Sequence, residues 1–247
     1  MPDLLVLFLA ACATALATGL GAIPVWLLGS RAVALTPLLL GVASGVMGVA
    51  SIVGLLVPAM EEGSVWDVLA GLAVGGVLLG VARGRMDHES AFMGRSGPGA
   101  RTSALVFAVL FVHSLPEGLA VGTAYASERE GLGLFVIVAI AIQNVPEGTS
   151  VAIPMEAAGY GRMRQFWAAV ATSVPQPVGA VVAYLAVEEV NALLPFSLAF
   201  AAGAMLSLIV VELLPQAYAD RRRWRGPTLG IVAGAAAMLV LDLLLGA

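Results

Sequence analysis

The chain has 247 residues and a net charge of −4, with 60% apolar and 11% charged residues, where an ordinary soluble domain carries about 25% charged residues. Twelve basic and sixteen acidic side chains cannot cover a soluble surface of that size, so the sequence reads as an integral membrane protein. No basic face exists to neutralise phosphates, which excludes a nucleic-acid binder, and the single cysteine, Cys12, excludes an internal disulfide or a CxxC metal site.

A bilayer core of about 30 Å needs roughly 20 apolar helical residues. Eight stretches meet that need, at about 4–28, 35–58, 65–82, 103–126, 131–157, 164–187, 193–218 and 228–246. The first has no basic residues ahead of it and seven more follow, so it reads as a span and not as a signal peptide. The segment 83–102 between the third and fourth spans is polar and Gly-rich and is expected to be a cytosolic loop; its His88 sits between Asp87 and Glu89 and could catch a metal weakly. Arg31, Arg83, Arg85, Arg95, Arg101, Arg162, Arg164, Arg221, Arg222, Arg223 and Arg225 fall on one side of the membrane, and only Arg129 on the other. The positive-inside rule then places both termini outside. The expectation is one transmembrane domain over 1–247, multi-pass, in a plasma or inner membrane, with the lipid bilayer as its surroundings.

Ionisable side chains inside spans are costly and mark function. Here they are His113, Glu117, Glu147, Glu212 and Asp242, joined by the amides Gln143, Asn144 and Gln176. Span 4 reads His113-Ser114-Leu115-Pro116-Glu117-Gly118, and span 5 reads Gln143-Asn144-Val145-Pro146-Glu147-Gly148. The two spans run in opposite directions, so the two Pro-Glu-Gly motifs face each other across a pseudo-two-fold. Each proline deletes a helical hydrogen bond, each glycine permits close helix approach, and helices broken at mid-membrane with matched motifs are the mark of a transport site.

The spacing fixes the chemistry. His113 and Glu117 are four apart, as are Gln143 and Glu147, so each pair shares a helix face. Four N and O donors then converge with a fixed charge of −2 from two carboxylates. A bare pair in low dielectric would share a proton; a divalent cation neutralises it instead, and a His-carboxylate set suits zinc, iron or manganese. Spans 2 and 7 carry a weaker second match: Ser44-Gly45-Val46-Met47 ending at Pro58, against Ala202-Gly203-Ala204-Met205 ending at Pro215. Together these predict an all-α membrane fold of eight helices in a three-plus-two-plus-three arrangement with inverted repeats.

At 113–122 and 143–154, with Pro175-Gln176-Pro177 in span 6, the sequence resembles the ZIP (Zrt/Irt-like) family of divalent-metal transporters, most closely its GufA-like branch. The resemblance covers the whole chain. It implies eight helices, both termini outside, import of zinc or in some members iron, manganese or cadmium, and in some members a homodimer. It implies His113, Glu117 and Glu147 as ligands, Gln143 where the family usually has histidine, and Met47 lining the first site, where a thioether favours cadmium. Ser114, Asn144 and Gln176 stand at second-site positions and are neutral, so the expectation is one bound ion rather than a bridged pair. Glu212 is expected to pass metal toward the cytoplasm. The metal is cargo, and no cofactor is implied.

Two rivals remain. An intramembrane metalloprotease would need HExxH, and the only His-Glu pair, His88-Glu89, has no second histidine, so an enzyme is not expected. A proton-coupled carrier of another substrate could use Glu117 and Glu147 as its relay.

Overall fold

The computed structural model describes residues 2–84, 91–96, 98–127, 129–220 and 224–245. Their fold is helical, apart from a hairpin of two-residue strands, β1 (Ala91–Phe92) and β2 (Arg95–Ser96). The helices are α1 (Leu4–Leu28), α2 (Ala32–Glu62), α3 (Val65–Gly84), α4 (Pro98–Ala126), α5 (Leu132–Ala157), α6 (Arg162–Glu189), α7 (Asn191–Ala217) and α8 (Arg225–Leu245). All but α3 are long and apolar enough over their described residues to cross a membrane, and α3 itself has 20 residues. The chain is therefore a multi-pass membrane protein.

The expected polar loop 83–102 is shorter than its composition suggests. Pro98 starts α4 ahead of the apolar run, because a proline has no N–H to leave unsatisfied in a first turn. The hairpin turns at Met93 and Gly94, both with positive φ (45° and 78°), the two-residue turn whose twist matches its strands. His88 and Arg85 lie outside the described residues, as do Arg221, Arg222 and Arg223.

Helices pack chiefly in pairs: α2 with α8, α3 with α7, α4 with α6 and α1 with α5, with α4 also against α5. The central cluster is apolar and includes Leu7, Met47, Leu55, Phe135, Ile140, Leu198 and Met205. One face of α8 exposes Leu229, Val232, Leu239, Leu243 and Leu244, as a lipid-facing helix must.

The expectation of broken helices at the Pro-Glu-Gly motifs is corrected. Both α4 and α5 run as continuous α-helix through Pro116 and Pro146; one missing hydrogen bond in a long, well-packed membrane helix is tolerated. Irregularity sits elsewhere. The helix α1 is interrupted at Gly21, and α6 at Ser173 and Val174. Residues Ala50–Leu56 of α2 and Ile209–Leu213 of α7 form π-helix. There the Val57 N–H bonds the Ile52 carbonyl and the Leu214 N–H bonds the Ile209 carbonyl, each one residue before a proline, Pro58 or Pro215. A proline cannot donate to the carbonyl four residues back, and the register slips to five at that point.

Candidate metal site

The Pro-Glu-Gly motifs act first as packing devices. A methyl group at Gly118 would stand 2.2 Å from the Gln176 carbonyl oxygen, and one at Gly148 would stand 1.7 Å from the Thr18 carbonyl oxygen. Only glycine lets α4 lie this close to α6, and α5 to α1. The contact is reciprocal: Gly179 of α6 faces the Leu115 carbonyl, and Gly21 of α1 faces the Val145 carbonyl. These approaches put Glu117 and Glu147, one residue before each glycine, at the centre of four helices.

Every candidate in the core is buried. Glu117, Gln143, Asn144, Gln176 and Met47 have no exposure; Ser114, His113, Glu147 and Glu212 have 2–8%. Glu117 is held by two amides: Gln143 Nε2 donates to Oε1 at 2.7 Å and Gln176 Nε2 donates to Oε2 at 2.6 Å. Glu147, buried on the neighbouring helix α5, is a second carboxylate in the same core. Two carboxylates buried in one low-dielectric core need a proton or a cation to balance them. Gln143 Oε1 and Glu147 Oε1 are buried and make no hydrogen bond, which costs free energy unless another group engages them.

The expected four-ligand convergence forms only in part. Glu117 turns toward the amides of α5 and α6, whereas His113 and Glu147 turn toward a cavity of about 30 Å³ that they line with Ser150, Glu212 and Gln216. Among the described residues, no three His, Cys, Asp or Glu side chains stand close enough to hold an ion by themselves. Residues four apart on a helix share a face, but their rotamers decide where the polar ends go. His113 Nδ1 meets the Val109 carbonyl at 2.5 Å. A carbonyl only accepts, so Nδ1 carries a proton, which in the neutral ring leaves Nε2 as the acceptor nitrogen. Gln216 Nε2 donates to Glu212 Oε1 at 2.8 Å.

Three other candidates stand apart. Ser114 Oγ donates to the Leu110 carbonyl of its own helix at 3.0 Å, and Met47 is fully inside the apolar cluster. Asp242, on α8, lines neither this cavity nor the amide network.

Sequence reasoning passed over Thr14 and Thr18. Asn144 Nδ2 donates to the Thr14 main-chain carbonyl at 2.7 Å and Thr14 Oγ1 lies 3.0 Å from Gln176 Oε1, while the Thr18 and Ser173 hydroxyls meet at 2.6 Å. The available signal was faint: two threonines four apart in an apolar span, a spacing that more often satisfies the helix's own carbonyls.

A profile of the family described as "ZIP Zinc transporter" matches residues 87–242, including both Pro-Glu-Gly motifs and Gln176. The chain belongs to the ZIP family. It is 37% identical over 242 residues to "Zinc transporter GufA" of Myxococcus xanthus, covering 93% of this chain and 95% of that protein. It is 33% identical over 252 residues to "Zinc transporter ZIPB" of Bordetella bronchiseptica, covering 93% and 78%. It is 32% identical over 174 residues to "Zinc transporter ZIP11" of Bos taurus, covering 66% and 49%. In this ZIP protein the paired Pro-Glu-Gly signature thus also lies where α4 meets α6, and α5 meets α1, in close contact.

Proposed function

We propose that this protein carries divalent metal cations, zinc foremost with cadmium, iron and manganese as alternatives, toward the cytoplasm through a mid-membrane site. His113, Glu117, Gln143 and Glu147 supply the ligands, and the metal is the transported substrate. The observation that carries this reading is the pair of buried oxygens, Gln143 Oε1 and Glu147 Oε1, that have no hydrogen bond beside a second carboxylate. Oxygen lone pairs without donors, next to excess negative charge, are what a desolvated cation needs. The relatives' names agree with it.

The architecture we infer is three-plus-two-plus-three. Exchanging α1, α2, α3 with α6, α7, α8, and α4 with α5, turns the pair α4–α6 into α5–α1 and the pair α2–α8 into α7–α3. All four pairings occur. The reciprocal glycine contacts and the two π segments before Pro58 and Pro215 support the same exchange. Entry from outside would use a groove of about 540 Å³ lined by Glu62, Ser64, Asp67 and Asn191. Exit would pass the His113–Glu147–Glu212 cavity, with Glu212 receiving the ion. Met47 would reach the ion only by turning out of the apolar cluster, and Ser114, Asn144 and Gln176 would leave no place for a second strongly held ion.

The deciding experiment is uptake of zinc, cadmium, manganese and iron by proteoliposomes, with competition among them. Saturable uptake that one metal inhibits for another supports the reading; equal leakage with and without protein sinks it. The burial of two carboxylates on the paired helices α4 and α5 also favours a second reading, a proton relay serving some other substrate. Thermal stabilisation of purified protein by zinc or cadmium separates the two, since a bare relay has nothing to bind either metal.

A further inference from the structure

Both oxygens and both nitrogens of the Asn144–Gln176 amide pair are committed. Asn144 Nδ2 donates to the Thr14 carbonyl at 2.7 Å and to Gln176 Oε1 at 3.1 Å. Gln176 Nε2 donates to Glu117 Oε2 at 2.6 Å and to Asn144 Oδ1 at 3.3 Å. Both side chains have no exposure. The direction of this chain is set at one end. A main-chain carbonyl accepts and never donates, so the nitrogen of Asn144, not its oxygen, must face Thr14. Its second N–H then finds Gln176 Oε1, and the nitrogen of Gln176 is left facing Glu117. Turning either amide over would set oxygen against oxygen at two places among fully buried groups.

The contrast with the neighbouring amide is sharp. Gln143 also donates to Glu117, yet its oxygen makes no hydrogen bond. It can turn and offer that oxygen to a cation. Gln176 cannot, because its oxygen has Asn144 and Thr14 on it.

From these bonds the geometry points to Asn144 as a positioning residue and not a metal ligand: it reads the Thr14 carbonyl, fixes the Gln176 amide with nitrogen toward Glu117, and so holds the Glu117 carboxyl in place for the ion. The inference rests on the mid-membrane metal reading above and assigns a role within that site. The hydrogen bonds take up the space and the charge balance that a second cation would otherwise need. One oxygen of Glu117 is pinned to Gln176, and the other, shared with the movable Gln143, is presented to the ion. Fixing a ligand before binding improves affinity by removing the cost of ordering it. It leaves the later rearrangement steps unchanged, so the effect belongs in KM more than in kcat.

The test is zinc uptake by proteoliposomes holding the full-length protein, as wild type, Asn144→Leu, Gln176→Met and the double variant. Each single change raises KM by roughly threefold to tenfold, the loss expected for one neutral hydrogen bond, with kcat within about twofold. The double variant is no worse than the worse single variant, because both changes cut the same chain. A double variant whose KM rises by the product of the single effects overturns the proposal, since a true ligand would lose its own contribution whatever Gln176 does. A wild-type KM in Asn144→Leu overturns it as well. Should the leucine variant fail to fold, Asn144→Ser, smaller and without an amide, takes its place in the same cycle. Glu147→Gln in parallel vesicles reports on the metal reading itself: full activity there defeats that reading, whereas a failed cycle beside an inactive Glu147→Gln removes only the positioning role.

Discussion

At the scale of single residues, charge decides what the core can hold. Among the described residues, Glu117 and Glu147 are the carboxylates at the four-helix centre, and each oxygen of Glu117 already accepts one amide hydrogen bond. Glu147→Gln keeps volume and removes one of the two charges that offset a divalent ion. It is expected to lower zinc uptake at least roughly tenfold, since breaking one side of a buried charge balance costs several kcal/mol, while the protein still migrates as a folded monodisperse species. Glu117→Gln is expected to do the same. Uptake at the wild-type rate by either would remove the carboxylate pair from the site. Gln176→Glu works in the opposite direction: a third carboxylate beside Glu117 should raise the cadmium bound at equilibrium from about one ion per chain toward two, read directly by titration of purified protein.

That these polar residues are buried in the core was legible in the sequence, because charge inside a membrane is too costly to face lipid; how they point was not. His113 and Glu117 share a helix face, yet one turns to the cavity and the other to the amides. The cause is a main-chain carbonyl at Thr14, and carbonyls leave no trace in a sequence.

At the scale of helices, glycine and proline carry the arrangement. Proline was expected to break α4 and α5 and does not; its visible effect is the one-residue slip before Pro58 and Pro215. The reason is local. A π turn needs an extra residue in the helix, which α2 and α7 accommodate, whereas α4 and α5 are clamped at Gly118 and Gly148 by carbonyls of α6 and α1. The helix count, order and most boundaries followed from the apolar runs, while the early start of α4 at Pro98 was hidden by its polar surroundings. A test follows from the clamps. Gly148→Ala places a carbon within 2 Å of the Thr18 carbonyl oxygen and Gly118→Ala a carbon 2.2 Å from that of Gln176; each should destabilise by roughly 1–3 kcal/mol or more through forced separation of the helices and lower the melting temperature in detergent. Gly48→Ala, whose added methyl meets nothing within 4 Å, should leave it unchanged. Equal melting of all three variants would mean that the close approaches do not hold the bundle.

At the scale of the whole molecule, orientation is the property that links the site to a direction of transport, and charge sets it. The order of the apolar runs is expected to put eleven arginines on one side. The twelfth, Arg129, forms an ion pair with Glu61 that ties the turn after α4 to the end of α2. That pair is solvent-exposed and adds little stability, and one arginine does not outweigh the excess expected opposite. The hairpin between α3 and α4 is therefore expected in the cytoplasm, and the turn between α2 and α3 outside. In a Cys12→Ser background, Ser64→Cys lies on an exposed turn and should react with a membrane-impermeant thiol reagent on intact cells. Ser96→Cys, in β2 of the hairpin, should react only after the cells are permeabilised. The reverse pattern would turn the molecule over, move Glu212 and its cavity to the outer side of the mid-membrane carboxylates, and convert the proposed importer into an exporter by the same site.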